Sequence, residues 1–317
     1  MTRVLITGGN GFLGSHVAGL LAARGDVELV VAADVRDGAE RDGIRLAHLD
    51  VTDAAGIAPV LREHRIDTVV HLAAIVNPGD DADLEYRVDV TGTANVLAAC
   101  VATGVRRIVV SSSGAAYGYH ADNPEWIDET QPLRGNDVFP YARHKRLVEE
   151  MLAAHRSTHP ELEQVTFRIG TILGPDVHNQ ITALWDGRRI LRVAGSDSPF
   201  VFAWVDDVAA AMVRAATDGP AGIYNVAGDG CLTVPEIAAR LGKPLLTLPA
   251  WALSAALRVG RMLRLTPHGP EKVIFLRYRP VLANGLLKEE FGFTPSRTSE
   301  EAFEEYLATH PGTVRDT

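Results

Sequence analysis

The chain has 317 residues, of which 46% are hydrophobic and 22% charged, enough for one large α/β core with or without a smaller companion. Its net charge of −9 argues against a general nucleic-acid or anionic-membrane surface, while a local basic groove for an anionic ligand stays open. Cys100 and Cys231 form no Cys-x-x-Cys pair, the 11 histidines show no metal-ligand spacing, and no leader or membrane-length apolar run is visible, so a cytoplasmic, metal-free protein without a membrane anchor is expected.

In chain order, strand-like apolar runs fall at residues 3–7, 28–33, 44–50, 68–73, 107–113 and 164–171. Helix-like stretches lie between them at 12–24, 54–64, 90–103 and 141–158. Buried strands alternating with helices predict α/β architecture, a doubly wound parallel sheet of Rossmann type. After Gly174 the pattern loosens, with prolines at 175, 199, 220, 235, 244 and 249 and strand-like pieces only at 199–203 and 222–226. A first unit over 1–174, with 200–228 returning to it, and a smaller interleaved lobe over most of 175–317 are therefore expected. The tail "TSEEAFEEYLATH" reads as a solvated final helix.

The first strand runs into "GGNGFLG", where Gly9-x-Gly11-x-x-Gly14 opens a helix. Glycines in that place allow a tight turn and close approach of a pyrophosphate, which the helix N-terminus attracts. Asp34 ends the next strand, 20 residues after Gly14, where a carboxylate can accept from both hydroxyls of an adenosine ribose. It would repel a 2′-phosphate by about 4 kcal/mol per unit charge at close range, which favours NAD over NADP. Arg36, two residues on, is placed to offset part of that repulsion.

"YARHK" sets Tyr141 and Lys145 four residues apart on one helix face, although the chain has only four lysines (Lys145, Lys243, Lys272 and Lys288). A tyrosine acting as acid and base must be tuned from its ordinary range toward neutrality, by roughly 4 kcal/mol. A neighbouring ammonium and an oxidised nicotinamide have the sign to do so. Upstream, Ser111, Ser112 and Ser113 end a strand at the sheet edge where open α/β sheets bind ligands, though serines there are also ordinary turn formers.

The pieces "TGGNGFLG", "HLDVTD", "VVHLAA", "DVTGTANVL", "SSSGAAYG", "YARHKRLVEE", "RIGTILGP" and "WVDDVA" together resemble the extended short-chain dehydrogenase/reductase superfamily, the NAD-dependent epimerase/dehydratase family. The resemblance implies Tyr141 as acid/base, Lys145 as the residue holding the nicotinamide ribose, and Ser113 as a hydrogen-bond partner of the substrate oxygen. It implies cofactor contacts from Gly8, Gly11, Phe12, Leu13, Gly14, Asp34, Arg36, Asp50, Val51, Leu72, Ala73, Ala74, Ser111, Ile169 and Thr171, as well as from Tyr141 and Lys145. A homodimer through the helices at 90–103 and 141–158 is also implied.

Departures from the family pattern narrow the reaction. The acidic pair that dehydratases carry after the catalytic hydroxyl is replaced by Gly114 and Ala115, which excludes elimination of water. Near Phe200 the phosphate-gripping arginine of many sugar-nucleotide enzymes is missing, whereas Asn179 matches a substrate-lobe asparagine. Asp89 stands where asparagine is usual, and Thr171 does likewise after Arg168. Arg277 and Arg279 are basic candidates for an anionic substrate group, with surface pairing the alternative. Arg143 and His144 read as a solvated helix face. The apolar segment 248–265, with Arg258, Arg261 and Arg264, admits packing of the small lobe, a lid over an apolar substrate, or membrane contact.

The expected function is NAD-dependent interconversion of a secondary alcohol and a ketone, on a small substrate such as a sugar acid. A sugar or sugar-nucleotide epimerase that recycles NAD in place is the alternative, and a nucleotide sensor or a dehydrogenase of apolar alcohols comes after it.

Overall fold

Val4, Leu5 and Ile6 have no exposed surface and lie in the central strand of the molecule, β1 (Thr2–Thr7). The computed structural model describes residues 1–76, 81–177, 179–266 and 269–314. From β1 the chain runs through α1 (Phe12–Ala22), β2 (Val27–Asp34), β3 (Ile44–His48), α2 (Ala54–Glu63), β4 (Thr68–His71), α3 (Ala82–Tyr86), α4 (Gly92–Thr103), β5 (Arg107–Ser113), α5 (Pro140–Thr158) and β6 (Glu163–Ile169). Then follow β7 (Thr171–Leu173), β8 (Ile190–Val193), β9 (Phe202–Trp204), α6 (Val205–Thr217), β10 (Gly222–Val226) and α7 (Val234–Arg240). The last elements are β11 (Leu245–Leu248), α8 (Ala250–Met262), α9 (Lys272–Arg277), α10 (Gly285–Glu289) and α11 (Ser299–Thr309).

Seven strands form one parallel sheet in the order β10-β6-β5-β4-β1-β2-β3. Alternation along the strands divides the core between two faces. Val4 and Ile6 pack with Val17 and Leu21 of α1 and Met212 of α6, while Leu5 packs with Leu61 of α2, Leu97 of α4 and Leu152 of α5. This is the doubly wound α/β fold that the strand–helix alternation predicts. Chain order reverses between β1 and β4, which opens a crevice at their carboxyl ends.

A smaller lobe is built from the parallel pairs β7–β9 and β8–β11 and the helices after β10. Its core surrounds Trp185, which meets Phe200, Phe202, Phe303 and Tyr306 edge-on.

Three local expectations change. The run at 164–171 divides at Gly170, where Thr171 leaves the large sheet and pairs with Phe202. The helix at 90–103 begins earlier, at Ala82, and passes through a π turn over Arg87–Thr91. The final helix is solvated on one face only, since Ala302, Phe303, Tyr306 and Leu307 are buried.

In the 248–265 segment, Leu253 is the one buried residue of α8, and Trp251, Val259, Met262, Leu263 and Leu265 are exposed, so packing of the lobe accounts for only one side of it. No helix among the described residues is long and apolar enough to cross a membrane.

Candidate active site

The glycine loop follows from close backbone contact. Gly8 has φ +69°, and its carbonyl accepts from the Gly11 N–H at 3.0 Å. A Cβ on Gly14 would meet that carbonyl oxygen at 2.2 Å, and one on Gly9 would meet Ala32 Cα at 2.7 Å. The turn-forming set is thus Gly8, Gly11 and Gly14, with Gly9 packed on β2, one residue away from the Gly9-x-Gly11 reading. Phe12 and Leu13 start α1, which has no side-chain cap and no acidic residue in its first turn. Its N-terminal N–H groups therefore face the crevice as an anion site.

Asp34 lies beside this loop at the end of β2 and accepts from the N–H groups of Asn10 (3.2 Å) and Arg36 (3.0 Å). Burial works to raise its pKa, but these bonds and the Arg36 guanidinium at 3.3 Å outweigh it and hold the carboxyl below its usual range. Arg41 donates to Asn10 Oδ1 at 3.1 Å, so the segment after β2 is tied to the loop. Asp50 lies two residues beyond the end of β3, which is shorter than the expected run to 50, in a turn closed by the Thr52 N–H and hydroxyl at 2.8 and 2.7 Å, and Val51 beside it is buried. A tight glycine cradle, an uncapped helix N-terminus and a carboxylate at the end of the next strand fit a dinucleotide.

Leu72, Ala73, Ala74, Ser111 and Lys145 line one cleft between β4 and β5, floored by His71 and Asp89. Lys145 Nζ donates to the Ser111 carbonyl at 2.7 Å and lies 5.6 Å from the Tyr141 ring centroid. Tyr141 and Lys145 share a face of α5, as their spacing predicts. Ser113 caps the turn that follows β5, accepting from the Ala115 N–H at 3.2 Å. Ala115 packs with Phe139, Ala142 and Tyr141, so this turn rests on the start of α5. Ile169 is buried at the end of β6, and Thr171 begins β7.

His144 departs from expectation. Its side chain is buried, and Nδ1 sits 2.9 Å from Asp89 Oδ2, while Arg143 alone faces solvent. Asp89 Oδ1 accepts from the Ile75 N–H at 2.8 Å. The π turn places Asp89 between the β4 loop and α5, a long-range position that local charge patterning does not register.

Beyond Tyr141 lies an aromatic wall. Tyr119 meets Phe139 and Phe275 edge-on at 5.3 and 5.2 Å, and burial raises its pKa, with Tyr141 adding to the rise and Arg279 opposing it. Arg279 is sandwiched between Phe200 (3.8 Å) and Phe275 (4.8 Å). Its Nη1 donates to the Ser198 carbonyl and hydroxyl at 3.1 and 2.7 Å, and Ser198 has φ +37°. Burial pushes the Arg279 guanidinium down to about 9, against a smaller raising influence of Tyr119. Among the described residues Arg279 has no carboxylate partner. Asn179 is used locally, its Oδ1 accepting from the N–H groups of Ile181 and Thr182 at 2.8 and 3.0 Å. Tyr119, Phe139 and Phe275 escape sequence reasoning, and only the four-residue step from Phe275 to Arg279 in "FLRYRP" hints at their meeting.

Comparison with known proteins identifies the family. The profile of the NAD dependent epimerase/dehydratase family matches residues 4–227, and the chain belongs to that family. Its members are NAD-dependent enzymes of the extended short-chain dehydrogenase/reductase type. The Mycobacterium tuberculosis protein Rv0501 is 27% identical over 313 residues, covering 96% of this chain and 83% of that one. A UDP-glucose 4-epimerase of Erwinia amylovora is 33% identical over 192 residues, 56% of each chain. The Thermus thermophilus UDP-glucose 4-epimerase in complex with NAD superposes with a TM-score of 0.75 at 28% identity, over 98% of this chain and 99% of that one.

Proposed function

We propose that the protein is an NAD-dependent oxidoreductase that interconverts a secondary alcohol and a ketone on a small anionic substrate. The observation that carries the reading is the placement of Tyr141 and Lys145 on one face of α5, with Lys145 held on the Ser111 carbonyl in the cleft at the sheet's carboxyl edge. Bound NAD supplies the hydride acceptor. Gly8, Gly11 and Gly14 with the start of α1 would hold its pyrophosphate, Asp34 its adenosine ribose, and Lys145 its nicotinamide ribose. Ser113 Oγ donates to the substrate oxygen, and the Tyr141 hydroxyl oxygen takes the substrate's hydroxyl proton as oxidation proceeds. Lys145 Nζ, 5.6 Å from the Tyr141 ring, is placed beside the phenolic group that makes this transfer. Gly114 and Ala115 offer no acid or base for water elimination, so the chemistry stops at the carbinol carbon.

Arg279 supports the anionic substrate class. It is a guanidinium held between two aromatic rings, bonded to neutral Ser198 and lacking a carboxylate among the described residues. A substrate carboxylate or phosphate would complete it. Arg279→Ala should raise KM for such a substrate by about tenfold to a hundredfold, with kcat less affected, as steady-state kinetics would read out.

Tyr141→Phe tests the catalytic role. Turnover of a panel of hydroxy acids, phosphorylated sugars and UDP-glucose should vanish while calorimetry still detects NAD binding, and unchanged turnover would remove Tyr141 from the reaction. A second reading, a sugar-nucleotide 4-epimerase, is favoured by the full-length likeness to the Thermus thermophilus enzyme. NAD content after exhaustive dialysis separates the two. A stoichiometric residue points to in-place recycling and the epimerase, whereas an empty protein that rebinds NAD points to a consumed cosubstrate. A homodimer through α4 and α5 belongs to the same proposal, with sedimentation velocity as its check.

A further inference from the structure

One surface helix of this molecule, α8, is apolar on its outer side as well as on its packed side. In α8 the side bearing Leu253 and Leu257 packs on Val273 and Leu276 of α9. The opposite side presents Trp251, Ala255, Val259 and Met262, spaced so that they form one stripe at 3.6 residues per turn. Trp251 is 77% exposed, Val259 50% and Met262 75%, and the stripe continues into Leu263 and Leu265, the latter 79% exposed. A lone exposed apolar residue is ordinary, whereas a contiguous outward row of this length marks an interaction surface.

The charge around the stripe identifies its occupant. Between Glu236 and Glu271 the sequence has no acidic residue, and α8 with the turn that closes it carries Arg258, Arg261 and Arg264, whereas Arg240 on α7 is paired with Glu300 and Glu304. This segregation occurs in a chain with 40 acidic and 31 basic residues, so the helix carries a charge opposite to that of the whole molecule. Arg261 pairs with Glu271 at 3.3 Å, while Arg258 and Arg264 form no ion pair among the described residues. Arg264 has φ +57°, a left-handed position that favours glycine, where the chain closes α8 through the bond from the Leu265 N–H to the Gly260 carbonyl.

We propose that the outer face of α8 docks the protein on an anionic lipid surface. The helix lies in the plane of the interface, with Trp251, Val259, Met262, Leu263 and Leu265 at the acyl boundary and Arg258 and Arg264 among the headgroups. The whole-molecule charge excludes a general membrane surface and leaves room for this one face. Because α8 packs on α9, whose Phe275 belongs to the wall beyond Tyr141, docking sets the substrate side of the site near the bilayer.

Co-sedimentation of the full chain with vesicles tests this without reference to its substrate. Binding is expected to equimolar phosphatidylglycerol–phosphatidylcholine vesicles, weakening as salt is added, and not to vesicles of phosphatidylcholine alone. Arg258→Gln with Arg264→Gln should weaken partitioning about thirtyfold, and Trp251→Ala with Met262→Ala should abolish it. All four positions are exposed, so retained NAD binding confirms that both variants are folded. Three results would overturn the proposal. One is no vesicle binding, another is equal binding to both compositions, and the third is self-association that Trp251→Ala with Met262→Ala removes, which would assign the stripe to a second copy of the chain.

Discussion

At the scale of single residues, the floor of the cleft is a chain of hydrogen bonds whose proton positions can be deduced. Thr93 donates its hydroxyl to the Asp89 carbonyl at 2.6 Å, so its oxygen accepts from His71 Nε2 at 3.0 Å. At the other end, with the ring proton on Nε2, Nδ1 accepts from the Thr7 hydroxyl at 2.7 Å, and Thr7 Oγ1 also accepts from the Ala73 N–H. The network therefore assigns His71 as the neutral Nε2–H tautomer. Burial lowers its pKa from 6.5 to about 4, with Lys145 adding to the fall and Asp89 partly opposing it. The unfolded chain takes up this proton below the ordinary histidine pKa, while the folded chain resists it until about 4. Stability accordingly drops as pH falls through that window, by about 3 kcal/mol in total. Urea titrations across the window should show this slope in the natural protein and a flatter one in His71→Asn. An identical slope in both would mean that another group carries the proton.

Elements are tied together by a second buried network. Arg168 on β6 makes a two-pronged ion pair with Glu149 on α5 and donates to the Tyr117 hydroxyl at 2.8 Å. Burial would lower the Arg168 pKa, and Glu149 outweighs it and raises it. Tyr117 in turn donates to Asn225 on β10 at 2.9 Å, so helix, turn and two strands share one hydrogen-bond network around a single ion pair. Glu149→Ala should cost about 3–5 kcal/mol in a urea melt because it leaves a guanidinium buried without its partner. Little of this tie is local in sequence. The glycine turn, Asp34 and the Tyr141–Lys145 pair are legible because each depends on neighbours within a single strand–turn–helix unit. Arg279 is legible as a basic candidate, but its aromatic surroundings are not, because Tyr119 and Phe200 lie far from Phe275 in the chain and meet it only where the lobe folds over the sheet. His144 departs from its local charge pattern for the same reason, since its partner Asp89 lies 55 residues away. The outward stripe on α8 has the period of a packing helix, and periodicity does not say on which side the packing is.

Across the whole molecule, the chain leaves the large sheet at Gly170, builds β7 to β9, and returns as α6 and β10 before leaving again. Val208, Ala209 and Met212 of α6 and Tyr224 of β10 belong to the same core cluster as Val4 and Ile6, and Arg107 on β5 donates to the carbonyls of Ala215 and Gly219. A fragment ending at residue 174 should therefore fail to give a cooperative thermal transition by circular dichroism, while the full chain shows one transition that NAD shifts upward. A soluble, cooperatively melting fragment would mean that the sheet closes without its returning strand. The threading also constrains how such a scaffold can change its trade. Grafting a foreign specificity lobe as one contiguous block would remove a strand of the nucleotide sheet and the helix beneath it. New substrates must instead be reached by piecemeal substitution along walls such as Tyr119, Phe200 and Phe275, so descent within this architecture leaves a recognisable nucleotide half beside a substrate half altered one side chain at a time.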